Sequence, residues 1–408
     1  MLSDLFPASS PITPAAPEAL RADFAAVPAK SAVYLLTTGT DAAEDHPVLL
    51  ATVGDLRAAL RRRLADNPPD AKTKRVSYGT FCTRVHYRIV YSGLGANFYY
   101  AQAARVLFPQ TAEALIPWRT SWWIAVEREG PFPRFRKTNN LSDPALEYAG
   151  PIRDKHAAQR LVESLEDLFD LCRYHHILVQ APHGKACAYK EMGKCPAPCD
   201  GSESLASYRQ RIEAALAFAA GRSREVWRAE VERQMKAAAA ALQFESAARL
   251  KQRLSRAGVL HTEPFAATGA LEDFAFLSLQ PGKGKPWMEP WIVHFAGEKA
   301  IQPLPQFNVK ELAASAQHLA DQCRLLRHVG APSFLTAEQA LDAALVAHHL
   351  FKGESDHGLW LHLREAEDPV AIAHAVEALR ARRAPKPLAE QSTDAVPESG
   401  ESGNKAGE

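Results

Sequence analysis

The chain has 408 residues, 47% of them apolar and 23% charged, ordinary values for a folded protein with a real core. Its 48 Lys and Arg nearly cancel its 47 Asp and Glu, which excludes a polycation of histone type but leaves room for a local basic face. There is no run of 18 apolar residues to span a membrane, and six cysteines are too few for a disulfide scaffold, so reduced thiols in the cytoplasm are expected.

In chain order, residues 1–28 are rich in Pro, Ala and Ser and read as a flexible leader. The start lacks a basic segment and carries too many prolines for a secretory signal. Two apolar runs follow, Ser31 to Thr37 and Pro47 to Thr52, split by a polar turn as in a hairpin. Asp55 stands at a helix N-cap position, before Leu56, Ala59, Leu60 and Leu64 at helical spacing. Val85 to Tyr91 alternates like a strand, and Ala96–Leu107 is helical in composition. Two short strands are expected within 120–153, then an amphipathic helix from Lys155 to Leu171 with Leu161, Leu165 and Leu168 on its buried stripe. Helices are expected at about 204–220 and 223–258. The remainder reads as a further α+β unit, with strands near 273–280, 291–296 and 358–364 and helices near 309–328, 336–351 and 368–383. The polar, acidic end from 386 to 408 cannot bury enough apolar surface to order itself.

Four cysteines fall in one loop: Cys172, Cys187, Cys195 and Cys199, spaced C-x14-C-x7-C-x3-C. Soft sulfur donors in one loop suit zinc or an iron–sulfur cluster. Only the last pair has the close spacing of a zinc knuckle, so the spacing leaves both open, with free buried thiols as the plain alternative. His175 and His176 are possible substitutes for one thiolate. Cys82 and Cys323 read as core. Between 223 and 258, Trp227, Val231, Met235, Ala238 and Leu242, then Ala247, Leu250 and Leu254, recur at three or four residues. These are two amphipathic helices joined tightly, a pair that must pack on its own protein or on a partner.

The segment from Glu232 through Leu242-Gln-Phe-Glu-Ser-Ala-Ala-Arg-Leu250 resembles the UVR motif, the hairpin through which UvrB and UvrC associate in bacterial nucleotide excision repair. Cys187 to Gly201 looks like the cysteine region of UvrC. Gly130-Pro-Phe-Pro-Arg-Phe135, Tyr148-Ala-Gly-Pro151 and Leu168-Phe-Asp-Leu-Cys172 resemble its flanking segments, in the family's order. The resemblance implies an N-terminal GIY-YIG nuclease domain. Ala32-Val-Tyr34 resembles its first motif and Leu56-Arg57 its following helix, which makes Tyr34 and Arg57 the candidate catalytic residues. The second tyrosine is missing, since Leu49-Leu-Ala-Thr52 stands in its place. The position of the family's metal-binding Glu is Tyr100, and a phenol does not hold Mg²⁺ as a carboxylate does. Losing that metal raises the barrier by several kcal/mol, on the order of 10³-fold in rate. Asp55 and Glu113 are the candidate replacement ligands. The family's second nuclease domain and its helix-hairpin-helix motifs have no counterpart in 262–408.

The expected architecture is therefore α+β. It comprises a leader (1–28), a degenerate GIY-YIG-like mixed α/β domain (29–112), a Cys-rich cluster-binding region (113–203), a helical segment with the UVR motif (204–260), a separate C-terminal α+β unit (261–385) and a disordered tail (386–408). A four-iron four-sulfur cluster on the four cysteines is the expected cofactor, with zinc the alternative and Mg²⁺ needed only by an active nuclease. Met235, Leu242, Phe244, Ala247, Ala248 and Leu250 are expected to meet UvrB. Arg61, Arg62, Arg63, Lys74 and Arg75, in a stretch with few acids, are expected to meet DNA phosphates or to form a solvated face. Trp118, Trp122 and Trp123 beside Arg119 either stack on bases or belong to the core. Gly282-Lys-Gly-Lys-Pro lacks the ending of a P-loop. His348, His349 and His357 read as incidental. The functional reading is a UvrC-like repair protein that binds DNA and UvrB, its nuclease lost or weakened. The alternatives are an active divergent GIY-YIG endonuclease and a non-repair scaffold.

Overall fold

The alternating apolar runs of the first hundred residues pair as an antiparallel sheet. The computed structural model describes residues 2–14, 24–39, 45–65, 78–258, 265, 267–352 and 358–383. A short α1 (Leu2–Leu5) leads into β1 (Ala8–Pro11), β2 (Ala32–Thr38), β3 (His46–Val53), α2 (Leu56–Leu60), β4 (Arg84–Ile89) and α3 (Gly93–Leu107). The strand order is β1-β4-β2-β3. The expected hairpin forms, with Tyr34 opposite Ala51. Asp55 caps α2, accepting the Ala58 N–H at 3.0 Å, which satisfies one of the donors that a helix start leaves orphaned.

Part of the segment read as a flexible leader is built into this sheet. Ala8–Pro11 add an edge strand to β4, and Ile12, Phe24 and Val27 are buried beneath it. Composition hid this, because Pro is tolerated at a sheet edge and the pairing partner lies some 75 residues away.

Successive residues of β2 point to opposite faces, as a strand requires. Ala32, Tyr34 and Leu36 share a core with Leu56 and Leu60 of α2. Val33 and Leu35 share another with Ala103 of α3, against which Tyr99 and Tyr100 pack.

The middle of the chain carries α4 (Ala112–Leu115), β5 (Trp122–Val126), β6 (Arg136–Thr138), β7 (Glu147–Ile152) and α5 (Lys155–Leu168). Three strands stand where two were expected, because β6 is too short to show a period. Asp154 caps α5 through the N–H groups of His156 and Ala157, both at 2.8 Å. The expected stripe of Leu161, Leu165 and Leu168 is buried. Gly150 has a packing reason: a Cβ there would lie 2.5 Å from the ring of Trp123, so only glycine lets the indole rest on the strand.

Short helices α6 (His175–Leu178) and α7 (Ala188–Glu191) sit within the cysteine loop. Then come α8 (Leu205–Ala219), α9 (Arg224–Ala240) and α10 (Phe244–Gly258). After β8 (Gly269–Ala270), a third antiparallel sheet forms from β9 (Phe276–Pro281), β10 (Trp287–Val293), β11 (Ile301–Pro303), β12 (Phe307–Asn308) and, after α11 (Leu312–Val329) and α12 (Ala337–Leu350), β13 (Leu359–His362). The last described helix is α13 (Pro369–Arg383). The expected tail, 386–408, lies outside the described residues.

The C-terminal unit is not separate, as expected, but fused to the rest. β8 pairs with β7, Ala270 opposite Ala149, which completes the middle sheet in the order β6-β5-β7-β8. One face of the C-terminal sheet is covered by α11 and α13. Its other face, with Phe276, Trp291 and Val293, shares one core with α12, with Leu94 and Ala101 of α3, and with Trp118 and Trp123 of the middle region. Polar links run across the same contact. Arg105 of α3 donates to Asp342 of α12 at 2.7 Å, and Asn97 meets His349 at 3.0 Å. Hydrophobic periodicity told which faces are apolar, not which face covers which.

Candidate functional site

Two features expected from the sequence are assembled by this fold: a helical hairpin with an apolar tip and a loop of four thiols. The third, Tyr34 on β2 with Arg57 on α2, is held in contacts of the first sheet.

The hairpin of α9 and α10 is anchored at its base. Trp227 packs on Phe218 and Phe169 at ring distances of 5.1 and 6.1 Å. Arg224 donates to the Phe218 and Ala219 carbonyls at 2.9 and 2.8 Å. Arg253 donates to the Leu168 carbonyl, and Arg256 pairs with Asp167 at 3.0 Å. These arginines went unnoticed in the sequence, since their acceptors are backbone carbonyls or, for Arg253 and Arg256, groups more than 80 residues away.

At the other end the hairpin turns through a Schellman arrangement. The Gln243 N–H donates to the Ala238 carbonyl at 2.9 Å and the Leu242 N–H to the Ala239 carbonyl at 3.1 Å. Leu242 therefore sits in the left-handed region with φ 58°, a place usually held by glycine. A leucine there costs about 1–2 kcal/mol. Its side chain is also 72% exposed, and the neighbouring Phe244 is 68% exposed. Two large apolar groups thus stand in water at the end of a rigid arm. Met235, Ala247 and Leu250 are half-buried along the hairpin and Ala248 is exposed.

In the cysteine loop, Cys172, Cys195 and Cys199 are buried and Cys187 is half-buried. Cys172 donates to the Tyr174 carbonyl at 3.6 Å. The neighbouring Cys172 thiol, with the Ala197 N–H and the charge of Arg211, draws the Cys195 thiol down against the opposing effect of burial. The neighbouring Cys195 and burial push Cys172 up. Burial raises Cys199 as well, helped by the charges of Asp200, Cys195 and Cys187. Cys172, Cys195 and Cys199 therefore lie within electrostatic reach of one another, with Cys187 near Cys199. The chain is held around them by Arg211, which pairs with Glu203 and donates to the Phe169 carbonyl at 2.9 Å, and by Lys190, 2.6 Å from Asp200. Among the described residues no three His, Cys, Asp or Glu side chains are arranged to hold a metal ion. Four soft sulfur donors in one loop are of the kind that zinc and iron–sulfur clusters take. Cys82 and Cys323 are buried, as expected.

Tyr34 is fully buried, and its hydroxyl has no partner among the described residues. Burial raises its pKa, countered by the charges of Arg63 and Arg62. Arg57 instead donates to the Val27 carbonyl at 2.7 Å. Tyr100 packs on the opposite face of the sheet, its hydroxyl donating to the Leu115 carbonyl at 3.2 Å. Asp55 is engaged as a helix cap, and Glu113 is exposed on α4. Arg61 and Arg62 are exposed and Arg63 is half-buried on a π-helical turn, Arg61–Ala65. Lys74 and Arg75 lie outside the described residues. An unpartnered buried hydroxyl costs about 1–3 kcal/mol. Tyr34→Phe is therefore expected to raise the unfolding free energy by about 1 kcal/mol in a urea titration. A loss of stability would mean that the hydroxyl has a bonding role.

Against known families, residues 121–218 match the UvrC/Cho excinuclease middle domain and residues 228–258 the UvrB/uvrC motif. Similar relatives include the UvrABC system protein C of Moorella thermoacetica, 30% identical over 132 residues, which is 32% of this chain and 21% of that protein. The protein of that name from Syntrophomonas wolfei is 32% identical over 134 residues, 32% of this chain and 21% of that protein. The one from Haloarcula marismortui is 33% identical over 135 residues, 33% of this chain and 22% of that protein. The matched part of the chain thus spans about a fifth of the length of these curated relatives. No solved structure matches the chain. The two matched families carry the thiol loop and the hairpin; the N-terminal sheet and the C-terminal sheet lie outside both. Among the described residues no helix is long and apolar enough to cross a membrane.

Proposed function

We propose that this chain is a cytoplasmic UvrC-like protein of nucleotide excision repair, which binds DNA and docks on a UvrB-like partner through the α9–α10 hairpin, its GIY-YIG-like nuclease lost or weakened. The observation that carries the reading is the exposed pair Leu242 and Phe244, at the tip of an anchored hairpin that matches the UvrB/uvrC motif. A large apolar side chain in a left-handed position, facing water, is a cost without return unless something covers it.

The loss of incision rests on the first sheet. Tyr34 is sealed from solvent, and Tyr100, in place of a carboxylate, packs on the other face. A phosphate cannot meet a group that is sealed in a core, and a phenol is a poor ligand for a hard cation. The basic turn Arg61 to Arg63 supplies charge for DNA contact. Cys172, Cys187, Cys195 and Cys199 would hold a four-iron four-sulfur cluster, zinc being the alternative. When bound, such a group supplies a soft-metal node that ties the end of α5 to the loop. Around it this chain's own residues give shape: Arg211 and Lys190 hold the loop closed, and Tyr208 donates to the Pro133 carbonyl at 3.1 Å beneath it.

One preparation tests the reading. The intact chain, purified without oxygen, is mixed with UvrA, UvrB, ATP, Mg²⁺ and a lesion-bearing duplex. Stable capture of UvrB without cutting is expected, and the protein should be brown, absorbing near roughly 400 nm. Incision on the 3′ side of the lesion would overturn the loss of nuclease function. Failure to capture UvrB would overturn the docking assignment. A colourless protein with one zinc per chain would replace the cluster by zinc.

A further inference from the structure

Where the middle region meets α12, the fold forms a cavity of about 480 Å³ that is open to solvent. Its walls come from three places that are distant in sequence: the segment entering β5, the turn between β7 and α5, and the C-terminal end of α12. Aromatic rings line it as Trp118, Trp122 and Phe351, and cations as Arg119, Arg153 and Lys352. Trp118 is only 4% exposed, yet its indole N–H has no partner among the described residues. The ring of His348 lies 6.2 Å from it, tilted by 33°. The Lys155 ammonium stands 5.7 Å from the Trp122 ring.

Among the described residues the one carboxylate in the lining is Asp154, set against three cations, and one of its oxygens accepts the His156 and Ala157 N–H groups that start α5. The remaining field favours an anion. The aromatic walls favour a planar ring. The volume falls in the range of small-molecule sites. A ligand both flat and anionic, about this size, is a nucleoside phosphate: bases stack on indoles, and phosphates bind guanidinium and ammonium groups.

We propose that this cavity is a nucleotide-binding site, which takes the base among Trp118, Trp122 and Phe351 and the phosphate on Arg119, Arg153 and Lys352. The nucleotide comes either from a free pool or from a DNA strand that presents one unstacked residue. The site is independent of the hairpin, which lies on other elements, so its success or failure is separate from that of the docking assignment.

The test is tryptophan fluorescence of the intact chain titrated with dAMP, with adenosine, and with a short single-stranded oligodeoxynucleotide. Lys352→Glu, at an exposed position, is the first variant. Trp122→Leu is the second, with circular dichroism as the check on folding. Saturable quenching by dAMP or by the oligonucleotide is expected. Adenosine should bind about tenfold more weakly than the better of the two, since it lacks the charge-assisted bonds. Lys352→Glu should weaken the phosphate-bearing probe about tenfold and leave adenosine unchanged. If dAMP binds and the oligonucleotide does not compete, the free nucleotide is the ligand. If only the oligonucleotide binds and Lys352→Glu abolishes it, the strand is the source. No saturable binding by either probe at millimolar concentration overturns the proposal. So does adenosine binding as tightly as dAMP, or oligonucleotide binding that ignores both variants.

Discussion

Phe244→Ala is expected to weaken capture of the proposed UvrB-like partner by roughly 30-fold or more while leaving the melting temperature unchanged. The ring is 68% exposed, so truncating it removes little from the free protein, within about 0.5 kcal/mol. An aromatic anchor at the centre of an interface is worth about 2–4 kcal/mol, and each 1.4 kcal/mol is about tenfold in affinity. Leu242→Gly should separate the two roles more sharply. Glycine relieves the left-handed backbone at φ 58°, so stability should rise by about 1 kcal/mol while capture falls. Opposite signs in calorimetric unfolding and in partner titration would mark Leu242 as kept for contact rather than for folding. Unchanged capture by both variants would move the docking surface off the tip.

Trp291→Ala is expected to cost about 3–5 kcal/mol, a large share of the roughly 5–15 kcal/mol that holds a folded domain. The side chain is fully buried, its rings lie 5.2 Å from Phe98 and 5.9 Å from Tyr99, and its indole N–H reaches Glu289 at 3.2 Å. It stands in the core common to α3, the middle region and the C-terminal sheet. Hydrogen exchange should therefore show α3 and β5 losing protection together with β9 and β10. Loss confined to 276–308 would show that the C-terminal unit folds by itself.

Much of the site was legible because its signals are local. Asp55 caps the helix that follows it, and the stripe of Leu161, Leu165 and Leu168 needs only a period of 3.6 to be read. The thiol loop and the hairpin were legible for the same reason, since residue type at fixed spacing carries both. The backbone of Leu242 was not, because nothing about a leucine announces a left-handed turn. The burial of Tyr34 against Leu56 and Leu60, with Tyr100 beyond the sheet, depends on which helix covers which face. A motif match alone does not tell that.

By itself the sequence determined the longer helices and the main strands, the clustering of Cys172, Cys187, Cys195 and Cys199, and the amphipathic pair that ends in Leu242 and Phe244. These follow from propensity, capping and periodicity, which act over a few residues. Tertiary structure alone decided that Ala8–Pro11 pair with β4, that β8 closes the middle sheet, and that Trp118 and Lys352 face one cavity. Those choices rest on shape. Trp123 lies flat on Gly150, and Trp291 fits between Phe98 and Tyr99, contacts between residues far apart in the chain. Burial favours any apolar cover, whereas close packing admits only the one that fits.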